Sequence, residues 1–197
     1  MKRLILASQS VYRKQQLESL GLAFDTESSN LDENSLKVKF KNDLERASLE
    51  LAKAKAHNVF AKMEEKTRPV IGADQIASCE DLLLNKPGDF ETAMRSLQKM
   101  CGKTVHLYSS VAIVSSDLDH SYTSICKLKM KQLTDLEIES YLKFAEPYDC
   151  AGSFKIEKGG IALFESIETD DYTGIMGLPL MQLSKLLTSI GYKLFNS

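Results

Sequence analysis

The stretch Leu4-Ile5-Leu6-Ala7-Ser8-Gln9-Ser10-Val11-Tyr12-Arg13-Lys14 passes within a few residues from an apolar run to hydroxyls and cations, the combination an anion site needs. Leu4 to Ala7 predicts a buried strand, Ser10 a cap for the helix that follows, and Gly21 a stop just past the last apolar residue, Leu20. The first turn of a helix leaves backbone N–H groups unpaired with a partial positive charge, so phosphate is attracted there before side chains are counted. Ser8, Ser10, Arg13 and Lys14 add hydroxyl donors and formal charge at that spot. Taken alone, these residues fit an ordinary capped helix with a solvated cationic turn better than they fit a phosphate site.

Three further places carry side chains that could do chemistry. Pro69-Val70-Ile71-Gly72-Ala73 is an apolar run that stops at Asp74-Gln75, so a strand is expected to deliver an acid at its end, followed by a hairpin through Ile76 and Glu80-Asp81 to Leu84. Ser28 to Ser35 reads as a polar loop containing Asp32-Glu33, either a solvated acidic loop or a magnesium-binding carboxylate pair. Cys150 to Gly160 is a loop in which glycines permit close backbone approach while Ser153, Lys155 and Glu157 offer a hydroxyl, a cation and a carboxylate.

The elements between these places follow from periodicity. Asn42 or Asp43 caps a long helix with Leu44, Ala47, Leu51, Ala54, Asn58 and Ala61 on one stripe, and Lys55 sits at its edge, able to reach inward or to snorkel into water. Asp89 caps a helix ending at Gly102, giving βαα-ββα as the order up to that point. Thr104 to Ser116 predicts a central strand, and Tyr122 to Met130 its half-exposed partner, with Lys127, Lys129 and Lys131 on the solvated face. Thr134-Asp135-Leu136-Glu137 fits a capping box for a helix to about Phe144. Ile161 to Ile167 reads as a last strand, and Pro179 starts a closing helix that runs up to Gly191.

Bulk properties exclude several classes. With 43% hydrophobic residues over 197, the chain can bury one large core or two small lobes, and a net charge of −2 gives no footprint for nucleic acid. Cys79, Cys101, Cys126 and Cys150 are too dispersed for a C-x-x-C pair, and His57, His106 and His120 too scattered for structural zinc. Gly102-Lys103-Thr104 is not a P-loop, because Leu97 stands where that pattern needs glycine. The apolar residues after Met1-Lys2-Arg3 are too few for a signal segment, and no run is long enough to span a membrane, so a cytoplasmic protein without a membrane partner is expected.

The chain resembles the Maf family of nucleotide pyrophosphatases through an ordered set of short motifs: LILASQSVYRK, LDE at Leu31 to Glu33, LAKAKA around Lys55, VIGADQIA, NKP at Asn85 to Pro87, GKTV, CAGSFKIE and GIMGLPL. The CAGSFKIE segment is similar to the branch acting on N7-methylated GTP, whereas the dTTP/UTP branch typically carries a G-G-Y-G-I-Q-G-type loop there. The resemblance implies one domain over residues 1–197. Its expected fold is α/β: an elongated, mixed and mostly antiparallel sheet flanked by helices, with two lobes around a central cleft.

It further implies that Asp74 is the general base and that Glu33, Lys55 and Lys86 share its cleft. Ser8, Ser10, Arg13 and Lys14 would meet the phosphates, Tyr12, Gln75 and Glu157 would govern base choice, and Ser153 and Lys155 would belong to the substrate loop. A divalent cation, Mg²⁺ or in its place Mn²⁺ or Co²⁺, would be held by Glu33, Asp74 and phosphate oxygens. The implied reaction is hydrolysis of a nucleoside triphosphate between its α- and β-phosphates, removing a modified nucleotide from the pool. A dTTP/UTP pyrophosphatase, a non-catalytic nucleotide-binding regulator of septum formation, and a homodimer all stay open. Tyr12 stands where this branch more often has Trp and Lys14 where the family usually repeats Arg, so aromatic area and a bidentate fork are both reduced.

Overall fold

The structure, a computed structural model, describes residues 2–80 and 82–195. In chain order its elements are β1 (Leu4–Ala7), α1 (Val11–Glu18), β2 (Phe24–Thr26), α2 (Glu33–Lys39), α3 (Leu44–Lys62), β3 (Val70–Cys79), β4 (Leu82–Leu84), α4 (Phe90–Met100), β5 (Thr104–Ser115), β6 (Leu118–Met130), α5 (Asp135–Ala145), β7 (Phe164–Glu168) and α6 (Leu180–Ser189). The strands form one mixed sheet in the order β2-β1-β3-β5-β6-β7, with β4 paired to β3. β1 runs parallel to both β2 and β3, whereas β3 with β4 and β6 with β7 are antiparallel. The chain groups into two compact units.

The first unit comprises the chain through Gln75, Tyr108–Ser124 and the residues from Asp171 onward. Side chains alternate across a strand, so β1, β3 and β5 each feed two cores. Leu4, Leu6, Ile71, Ala73, Val111 and Ile113 pack with Leu17 of α1 and Leu183 and Leu187 of α6. Ile5, Ala7, Val70, Ala112 and Val114 pack with Ala52, Ala56 and Val59 of α3 on the other face. Small alanines let α3 lie close to the sheet, and Gly72 completes that approach. A Cβ at Gly72 would stand 2.6 Å from Ala56 N and closer still to the Ala52 carbonyl oxygen.

The second unit comprises Ile76–Leu107 and Ile125–Asp170. Asp89 and Thr134 cap α4 and α5 as the sequence predicts, Thr134 within a complete capping box whose Glu137 side chain answers the Thr134 backbone N–H. The buried Tyr141 hydroxyl accepts the Lys155 N–H at 2.8 Å, and burial pushes its phenol up to about 12. Phe154 meets Phe164 edge to face at 5.0 Å.

Several expectations need correction. β3 does not stop at Ala73 but continues to Cys79, because Ile76, Ala77 and Cys79 are buried as thoroughly as the first half, so Asp74 lies inside a strand. The βαα-ββα order omits β2, too short for a pattern, and α2. The Ser28 to Ser35 loop ends early, since Glu33 opens α2, a helix without an apolar stripe whose Val38 is exposed. α1 closes at Glu18, before Leu20. The turn between β5 and β6 falls at Ser116-Asp117, so Leu118 already belongs to β6. Ile161 to Leu163 lie in a 3₁₀ turn entered through Gly159 at φ 78°, which leaves β7 to begin at Phe164. Asp81 of the expected hairpin turn lies outside the described residues. Among the described residues no helix is long and apolar enough to cross a membrane.

Candidate functional site

Strand parity decides which way Asp74 faces. Val70, Gly72 and Asp74 share the β3 face that packs on α3, while Ile71 and Ala73 face α1 and α6. α3 brings Lys55 to the same place, on the stripe that carries Ala52, Ala56 and Val59. Lys55 Nζ donates to Asp74 Oδ1 at 2.7 Å and pairs with Glu33 Oε1 at 2.8 Å. Asp74 is 5% exposed and Lys55 7%, so this ion pair lies out of bulk water. Removing Lys55 would strand the buried Asp74 charge, which costs on the order of 3–5 kcal/mol, whereas removing Asp74 leaves Lys55 its contact with Glu33.

Glu33 reaches the pair from the first residue of α2 and spends Oε2 on Lys37 at 3.3 Å. Its partial burial works against ionisation, but the hydrogen bond and charge of Lys55, reinforced by Lys37, outweigh this and hold the carboxyl below its ordinary range. Asp74 Oδ2 is different: it is buried and makes no hydrogen bond. Ser48, on the preceding part of α3, donates to the Tyr108 carbonyl at 2.9 Å and lies 3.3 Å from that of Asp74.

The N-terminal turn adds cations on the same unit. The Ser10 hydroxyl accepts the Arg13 N–H, making the expected cap, and Ser8 Oγ accepts the Ser10 N–H at 3.2 Å. Arg13 Nε donates to the Gly177 carbonyl at 3.0 Å. Burial pulls the guanidinium below its ordinary value, and the charges of Asp74 and then Glu33 push back. Lys14 is exposed, 3.9 Å from Glu18 Oε1, a separation at which a surface pair contributes little. Tyr12 sits half-buried in the first turn of α1.

Gln75 faces the opposite way from Asp74, as parity requires. Its amide nitrogen reaches Ser109 Oγ at 2.9 Å and the carbonyls of Gly174 and Ile175 at 2.9 and 3.1 Å, so it fastens the segment after Asp171. The residues implied by CAGSFKIE and NKP belong to the second unit. Lys86 is exposed after β4, Glu157 is exposed, and Lys155 Nζ engages Asp149 Oδ1 at 3.0 Å and the Glu146 carbonyl at 3.1 Å. Ser153 adopts φ 61° with a buried hydroxyl that makes no hydrogen bond, a left-handed conformation unusual outside glycine.

Residue-by-residue reading passes over five groups that shape the first unit: Gln16, Lys37, Ser48, Ser109 and Asp171. Asp171 is fully buried, its Oδ1 accepting from Thr173 N and Oγ1 and its Oδ2 from Met181 N and Gln182 N, so it caps a 3₁₀ turn and α6 together. The available signal was Asp171 two residues before Thr173 and shortly before Pro179, a turn-then-helix composition.

A carboxylate with one oxygen fixed by an ammonium and the other without a partner can accept a proton or ligate a cation. Among the described residues no three His, Cys, Asp or Glu side chains gather into a metal cage. Mg²⁺ does not require one, being commonly held by one or two carboxylates with substrate phosphates and water. Asp74 fits that mode through its unpartnered Oδ2, whereas Glu33 would have to give up a contact with Lys55 or Lys37 to join it.

The Maf-like protein family model matches residues 3–190, and the chain belongs to this family. It is 39% identical over 186 residues to a protein of Bdellovibrio bacteriovorus named 7-methyl-GTP pyrophosphatase, covering 94% of this chain and 96% of that one. A protein of Polaromonas sp. with the same name is 40% identical over 195 residues, 98% of this chain and 86% of its own. A third so named, from Burkholderia thailandensis, is 38% identical over 203 residues, spanning 100% and 92%.

Proposed function

We propose that this chain hydrolyses N7-methylated GTP between the α- and β-phosphates, releasing the methylated nucleoside monophosphate and pyrophosphate. The observation that carries this reading is the buried Lys55–Asp74 pair with its unpartnered Oδ2, in a chain whose near-full-length relatives bear that activity in their names.

Water must attack the α-phosphorus in line with departing pyrophosphate. Asp74 accepts the water's proton at Oδ2, and the ammonium of Lys55 on Oδ1 keeps the carboxylate oriented. Arg13 meets negative charge on the triphosphate, assisted by the N-terminal turn of α1 and by Lys14, with Ser8 and Ser10 lining that turn. Glu33 and Asp74 would hold a divalent ion, Mg²⁺ in the first instance, which when bound neutralises phosphate charge and acidifies water. Lys86, Ser153 and Lys155 are assigned to substrate on the strength of their motifs.

Base choice follows from chemistry. Methylation at N7 makes guanine cationic, which favours stacking on Tyr12, and a carboxylate at Glu157 accepts from the N1–H and N2–H₂ edge. Uracil and thymine present one donor between two acceptors that a carboxylate repels.

The test is pyrophosphate release from N7-methyl-GTP, GTP, UTP and dTTP with Mg²⁺, Mn²⁺ or Co²⁺, read as kcat/KM. The methylated nucleotide is expected to be best. Fastest turnover of UTP or dTTP would move the chain to the other branch, and binding without turnover of any nucleotide would make it a regulator.

A further inference from the structure

The segment from Tyr172 to Leu178 is held largely by side chains that donate to its carbonyls. Gln75 takes those of Gly174 and Ile175, Ser109 Oγ donates to Gly174 O at 2.6 Å, and Arg13 Nε takes Gly177 O at 3.0 Å. Gln16 takes the two that bracket them, Thr173 O at 2.8 Å and Leu178 O at 3.1 Å. Gln16 stands three residues after Arg13 on α1, so the two side chains leave the helix on one face.

Gln16 is 6% exposed, yet its Oε1 is buried without a hydrogen bond. Turning the amide over would set that oxygen against two carbonyls, so the orientation is fixed by its partners. The acceptor end adds only desolvation, and the donor end is what the fold uses. Between the two carbonyls that Gln16 holds lies Gly177, at φ 104°, whose own carbonyl anchors Arg13.

We propose that Gln16 is a positioning residue for Arg13. It fixes the Gly177 carbonyl, which holds the guanidinium at Nε and leaves the terminal nitrogens to meet the triphosphate. The inference rests on the reading of Arg13 as a phosphate ligand. Once the brace is removed, the guanidinium must be ordered at each binding event, and immobilising one such side chain corresponds to roughly a tenfold change in affinity.

The test compares wild type, Gln16→Met, Gly177→Ala, Arg13→Ala and the Gln16→Met/Arg13→Ala double variant, each checked by thermal melting. Steady-state kinetics on N7-methyl-GTP, GTP and UTP supply the readout. Gln16→Met removes the donor and the unpartnered oxygen together, but it leaves the Thr173 and Leu178 carbonyls without that donor, so some loss of stability is expected and melting is read beside the kinetics. KM is expected to rise about tenfold for every nucleotide alike with kcat within about twofold, and not to rise further in the Arg13→Ala background. Gly177→Ala, which forces a left-handed alanine whose Cβ stands 3.4 Å from Arg13 Nε, should also raise KM and tests the anchor itself, while Gln16→Leu, assayed in the same way, tests Gln16 where Gln16→Met does not fold.

An unchanged KM in these variants, effects that multiply with Arg13→Ala, or a fall in kcat at constant KM would overturn the role of Gln16 while leaving Arg13 on the phosphates. An unchanged KM in Arg13→Ala itself would overturn the phosphate reading and Gln16 with it.

Discussion

Lys55 lies between two carboxylates, and the three side chains have different consequences when altered. Asp74→Asn removes the proton acceptor we propose but leaves Lys55 its 2.8 Å contact with Glu33. Turnover should fall about a hundredfold or more, the scale of a lost general base, while nucleotide binding by calorimetry persists. Lys55→Met leaves Asp74 buried without its cation, so stability should drop by roughly 3–5 kcal/mol in urea titrations, a loss that Asp74→Asn in the same chain partly restores. Glu33 contributes to the acid limb. Its carboxyl is held below the ordinary value, so between that depressed value and the ordinary, unfolded value the unfolded chain binds a proton that the folded chain refuses. Stability contributed by Glu33 is therefore present above the unfolded value and lost as pH falls through the folded one. Urea midpoints measured from about pH 3 to pH 6 should climb less steeply in Glu33→Gln, and an unaltered slope would detach Glu33 from the pair.

The two elements that make this pair possible are α3 and β3, and their separation is set by Gly72. Any Cβ there meets the α3 backbone at Ala52 and Ala56, and backbone cannot move aside as a flexible side chain can. Gly72→Ala should cost about 1–3 kcal/mol or more by urea denaturation and, by pushing α3 outward, lengthen the Lys55–Asp74 contact and lower kcat in the fraction that folds. Full stability in that variant would show that the helix is free to shift. The same pair of elements shows how far a sequence can be read. Apolar spacing located β1, α3, α4, β5, α5 and α6, whose patterns are imposed by the cores they bury. α2 escaped because it is polar nearly all round, and the true end of β3 escaped because Asp74 and Gln75 look like a strand stop until their partners are known. At the candidate site, Ser10, Arg13, Lys55 and Asp74 are identifiable as residue types in place, yet the first three are better explained locally. Only tertiary packing shows that Lys55 does not snorkel but turns inward. Gln16, Ser48 and Asp171 bind backbone groups distant in sequence, and no local spacing encodes such partners.

Across the whole molecule the chain passes between its two units at Gln75-Ile76, Leu107-Tyr108, Ser124-Ile125 and Asp170-Asp171. The first three passages fall inside β3, β5 and β6, and only the last lies outside a regular element. Boundaries between independently folding domains fall in exposed, flexible linkers crossed by few contacts, and a strand interior is the opposite of a linker. A strand that loses its ladder in one half has no reason to keep its register in the other. We therefore propose that residues 1–197 form one folding domain, and that unfolding is a single cooperative transition. The chain has no Trp, so reporters can be placed singly: Tyr172→Trp in the first unit and Phe144→Trp in the second, both at exposed aromatic positions. Urea midpoints from the two reporters and from far-UV circular dichroism should coincide, with calorimetric and van't Hoff enthalpies equal. Separated midpoints would make the units two domains, and stability changes measured for Gly72→Ala or Lys55→Met would then belong to the first unit alone rather than to the protein.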